Sequence, residues 1–151
     1  MSETAGTGME TVQALVRMLS GAEVTVDGVA AALGTVTEAR EGDDPACIQP
    51  NNRAFGEGHV VPGIGTEEPA NVSLQLAEPD AITVKELEAV FGPFREAMPL
   101  GWGRPTELIF NADLSDQPKG CSVIVRVVEG PNGVVDGEIT EVIVQREIRL
   151  D

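Results

Sequence analysis

The sequence predicts an α+β domain: an antiparallel sheet with helices on one face, arranged as two tandem helix-then-sheet units. Three observations predict it. Apolar stripes at helical spacing end in glycine stop signals, alternating segments joined by turn residues fill the C-terminal half, and one helix-plus-stop pattern recurs at an offset of 58 residues.

Residues 1–8 are small and polar and are expected to form a flexible N-terminus ahead of a single domain over 9–151. Met9, Val12, Leu15, Val16 and Leu19 then recur at the spacing of one helix face, and Gly21 follows as a stop, which predicts a core-facing helix over about 9–20. A shorter helix is predicted over about 26–33, with Thr25 as N-cap and Gly34 at its C-terminal end. Residues 41–69 are rich in Gly, Pro, Asn and Asp and read as turns, with short extended pieces at Ala46–Ile48 and His59–Val61. Val72–Leu76 alternates as a half-buried strand does.

Thr83 and Glu86 then fit a capping box, in which each side chain satisfies an orphan donor of the other's backbone, and Gly92-Pro93 ends the helix that follows. Strands are predicted at Glu107–Phe110, Cys121–Val128 and Glu138–Ile148, the last two joined through Asn132-Gly133, a hairpin signal. Three strands are thus expected after the second unit's helix.

At an offset of 58, Val24–Ala39 overlies Ile82–Ala97, with five identities in 16 positions: Thr25/Thr83, Ala31/Ala89, Gly34/Gly92, Glu38/Glu96 and Ala39/Ala97. The matches fall on the cap, the buried helix face and the glycine stop, and imply repeat units over 24–79 and 82–150. The pairing of Val24-Thr25-Val26…Leu33-Gly34 with Ile82-Thr83-Val84…Phe91-Gly92 resembles the opening of the units in the β-lactamase inhibitory protein and BamE-like domains. That resemblance, over about 16 residues in each half, implies a helix, a glycine stop and a small antiparallel sheet per unit. The chain departs from it in lacking a secretion signal and the many aromatics of such an inhibitor, so no binding residues are carried over.

The chain has 151 residues, and its net charge of −15 disfavours nucleic acid and anionic membranes as partners. The same charge favours solubility or a basic protein partner. Four Phe, one Trp and no Tyr leave few stacking platforms for sugars or single strands. No apolar run reaches the length of a membrane span, and a cytoplasmic location is expected. Cys47 and Cys121 lie in no metal-binding or CxxC spacing and are expected to be buried, reduced thiols, with one disulfide between them as the alternative.

His59 is the sole histidine, with Glu57 two positions away; together they are weak candidates for acid–base chemistry, against an ordinary surface histidine. Gly63-Ile64-Gly65 and Gly101-Trp102-Gly103-Arg104 lack the strand-to-helix context of a phosphate loop. Asp43-Asp44 and Asn111…Asp116 lack calcium-loop spacing and read as turn chemistry, so no metal and no cofactor are expected. Trp102, with Arg104, Met98 and Leu100 nearby, either caps the core or anchors a partner.

The leading expectation is a non-enzymatic, acidic, bacterial-type binding, immunity or inhibitor protein, monomeric or a homodimer. It would meet its partner through the sheet face or the Met98–Arg104 loop. The alternatives are a small-molecule binder or small enzyme with a helix–sheet pocket using His59, and an assembly subunit pairing through an exposed strand edge at Glu138–Arg149.

Overall fold

A computed structural model of the protein describes residues 7–38, 44–63, 65–78, 81–97, 106–131 and 133–146. Helix α1 (Thr7–Leu19) is followed by α2 (Val26–Leu33) and by strands β1 (Gly34–Val36), β2 (Ala46–Pro50), β3 (Phe55–Pro62) and β4 (Pro69–Leu76). Helix α3 (Val84–Phe91) then precedes β5 (Phe94–Glu96), β6 (Thr106–Asn111), β7 (Cys121–Gly130) and β8 (Gly133–Arg146). Among the described residues, eight strands form one antiparallel sheet in the order β1-β2-β3-β4-β8-β7-β6-β5.

Local chemistry sets the helix ends. Thr25 Oγ accepts from the Gly28 N–H at 3.1 Å, and the Gly34 N–H donates back to Ala30 O. In α3 the box is complete: Thr83 Oγ accepts from the Glu86 N–H at 3.2 Å, and Glu86 Oε1 accepts from the Thr83 N–H at 3.0 Å. The Gly92 N–H then donates to Glu88 O, and Gly92 takes φ +90°, where a side chain would strain the backbone. Gly133 takes the same φ at the start of β8, as the Asn-Gly hairpin signal requires.

The sheet has one core side. Ile48, Gly58, Leu74, Val142, Val125 and Leu108 lie side by side across six strands and are all buried. All but Gly58 belong to one hydrophobic cluster with Val12, Leu15 and Leu19 of α1, Val29 of α2 and Leu87 of α3. The stripe expected on α1 is therefore core. Phe94 and Phe110 add an edge-to-face ring pair at 5.6 Å. Gly58 has no room for a side chain, since a Cβ there would fall 2.7 Å from Leu74 Cδ2 and 3.0 Å from Ile48 Cγ1.

Several expectations change. Helix α3 is followed by four strands, because β5 is a separate three-residue strand before β6, and α2 leads directly into a further short strand, β1. Over Glu141–Gln145 strand β8 is not an edge, since it pairs there with β4 and with β7 on its other side; among the described residues β1 and β5 are the outermost strands. Alternation fixes which face a residue takes but not which strand lies beside it. Finally, α1 begins at Thr7, two residues earlier than its apolar stripe.

Candidate functional site

Between the buried positions, every second residue of the same strands points to the other side of the sheet. Cys47, His59, Ser73, Ile143, Ile124 and Ile109 form one continuous row there, from β2 to β6. All six are partly accessible to solvent. The three isoleucines sit directly opposite one another on β6, β7 and β8, so their side chains pack as cross-strand neighbours about 5 Å apart. The result is an aliphatic ridge on an accessible face, where polar residues are the rule for half-exposed antiparallel strands.

Polar rows flank the ridge. On one side Asn71, Gln145, Ser122 and Asn111 are neighbours. On the other, Arg126 stands between Glu107 and Glu141, with Nε 3.1 Å from Glu107 Oε2 and Nη1 2.7 Å from Glu141 Oε1. The Arg126 side chain is 44% exposed, so this ladder fixes geometry more than it adds stability. Gln75 and Glu57 continue that row on β4 and β3. A cavity of ≈ 270 Å³ at the β5 end of the ridge is lined by Pro93, Phe94, Arg95, Ile109, Asn111 and Ser122. It has the size to receive a side chain.

His59 and Glu57 do meet as β3 neighbours, with Nε2 3.7 Å from Oε1. His59 alternates with buried Gly58 and Val60 and therefore points to the side of its strand opposite the buried core residues. Cys121 is buried as expected, with Sγ 3.3 Å from Ser20 Oγ. Cys47 is also a free thiol, but unlike the expectation it is only partly buried, because its position on β2 falls on the accessible face.

Asp113 explains its own turn. Its N–H donates to Asn111 Oδ1 and its Oδ1 accepts from the Cys121 N–H, both at 2.9 Å. Among the described residues no group of His, Cys, Asp or Glu is placed to hold a metal ion. Among the same residues no helix is long and apolar enough to cross a membrane. Met98, Leu100, Trp102 and Arg104 lie outside the described residues.

The isoleucine ridge was not legible in the sequence, because its members come from three strands and only the register brings them together. No protein family, curated protein or solved structure matched this chain.

Proposed function

We propose that this protein is a non-catalytic protein-binding module whose accessible sheet face docks a partner with a basic surface. The observation that carries the reading is the Ile109–Ile124–Ile143 ridge, a partly accessible apolar strip rimmed by polar residues. The charge of −15 supports a basic partner, since it steers opposite charge and repels like charge. In the row beside the ridge, Glu107, Glu141 and Glu57 outnumber Arg126.

This reading includes a duplicated architecture, with all three helices on one face and the other left for the partner. Two facts support the duplication. Thr25 and Thr83, at the offset of 58, are N-caps with almost the same backbone, φ −122° and −118°, and each helix ends on the matching glycine. The registers also agree. Starting from the aligned pair Val36 and Phe94, one path runs through Ile48, Gly58 and Leu74 to Val142. The other runs through Phe110, Val123 and Val144 to Val72. For a two-fold, the equivalence of Leu74 with Val144 must carry Val72 onto Val142, and it does. The local axis passes through the Ser73–Ile143 pair. The resemblance to inhibitory-protein units implies the same two-unit plan.

The test is capture from native lysate by immobilised protein, with two variants. Ile124→Asp, on the ridge, is expected to lose a basic protein that the parent retains, and added salt is expected to weaken its capture. Val90→Asp, on an α3 residue that is 45% exposed, is expected to keep it. Equal capture by parent and Ile124→Asp, equal loss in both variants, or no basic protein captured at low salt would reject the reading.

A further inference from the structure

We propose that Cys47 is a thiol–disulfide exchange site, with His59 as its proton acceptor, and that it takes small neutral or cationic disulfides. This does not depend on the docking reading.

The geometry comes from the backbone. The Thr37 N–H donates to the Cys47 carbonyl at 2.9 Å, so the backbone groups of Cys47 face β1. Against β3, Cys47 and His59 therefore form the narrow, non-hydrogen-bonded type of antiparallel pair, in which Cα atoms approach to about 4.5 Å and side chains are closest. Both side chains point to the accessible face. Glu57 stands beside the pair on the same face, its Oε1 3.7 Å from His59 Nε2. A thiol, an imidazole and a carboxylate are thus neighbours on one face, the residue types that serve as nucleophile, base and orienting group when a thiol is activated. The second thiol is differently placed: Cys121 is wholly buried, within 3.8 Å of Val16 O and 3.3 Å of Ser20 Oγ.

In the reaction the Cys47 proton passes to His59 and the sulfur attacks one sulfur of the incoming disulfide. A bond forms between Cys47 and that sulfur. The original S–S bond breaks, and its electron pair leaves on the second sulfur, which takes the proton from His59. Cys47 is oxidised into the mixed disulfide and one thiol is released, so the incoming disulfide is the oxidant. Charge sets its class: Glu57 beside the site and the net charge of −15 repel anionic disulfides.

The experiment follows mixed-disulfide formation by intact mass, with cystamine, hydroxyethyl disulfide and oxidised glutathione as probes, in a Cys121→Ser protein. Wild type with peptide mapping gives the same measurement should that variant not fold. Cystamine is expected to add once, at Cys47, at least about tenfold faster than to the urea-unfolded chain, with oxidised glutathione the slowest probe. His59→Gln is expected to remove about tenfold or more of the native rate, somewhat less than the roughly 10²–10⁴-fold that a closely held base contributes. A native rate at or below the unfolded rate, no change in His59→Gln, a fastest reaction with oxidised glutathione, or a wild-type adduct on Cys121 would overturn the proposal.

Discussion

The guanidinium of Arg146 on β8 donates from Nε to the carbonyl of Leu19, the last residue of α1, at 3.0 Å. A second bond runs from Nη2 to Gly21 O at 3.0 Å, and Nη1 lies 3.1 Å from Glu68 Oε1. Helix C-termini leave carbonyls without intrahelical donors, and a cation there also opposes the negative end of the helix dipole. Arg146 does both from a side chain only 7% exposed.

Arg146→Ala is therefore expected to cost about 3 kcal/mol, because it leaves buried carbonyls unsatisfied and opens space under α1. Glu68→Gln is expected to cost under about 1 kcal/mol, since Glu68 is 48% exposed and solvent screens the pair. Urea unfolding of the two variants checks the order.

Gly8→Ala sets two effects against each other. Alanine in place of glycine favours a helix by about 1 kcal/mol at most. The added Cβ, however, would stand 2.5 Å from the Ala81 carbonyl oxygen and 2.7 Å from Ile82 Cγ1. A backbone atom cannot rotate away, so α1 must shift, and overpacking of this kind costs about 1–3 kcal/mol. The variant is expected to be less stable in thermal unfolding.

The two helix caps differ in what they satisfy. Thr83→Ala breaks a reciprocal box and is expected to cost about 1–2 kcal/mol, whereas Thr25→Ala removes a single exposed bond and is expected to cost about 0.5–1 kcal/mol. Chemical denaturation of both variants checks the difference.

Arg126→Ala removes the positive charge between Glu107 and Glu141. Fold stability is expected to change by under about 1 kcal/mol, since the Arg126 side chain is 44% exposed. Association with a basic partner is expected to become faster and more salt-sensitive, as stopped-flow mixing at two ionic strengths would read.

Much of this fold is legible in the sequence because its signals are local. Thr25, Thr83, Gly34 and Gly92 mark helix ends by chemistry within four residues, and α2 spans the residues those signals predict. Strands β4 and β7 are read from alternation alone. Strands β1 and β5 leave no signal, because three residues are too few to alternate and each follows its helix almost at once. Nothing in the residues of β8 encodes β4 as its neighbour, so its own pattern is equally compatible with an edge. The same blindness hid the apposition of Cys47 with His59 and the meeting of Ile109, Ile124 and Ile143, which depend on register across distant strands.

The pairing of β4 with β8 has a consequence for synthesis. Strand β4 finds its first partner, β3, by a hairpin, but its second only after α3 and β5–β7 have been made. On the ribosome the first half therefore waits with one flank of backbone donors and acceptors unmatched. Closing it requires a contact between segments far apart in the chain, which is slow to form because of loop entropy. Nascent chains in that interval are the species most exposed to pairing with one another.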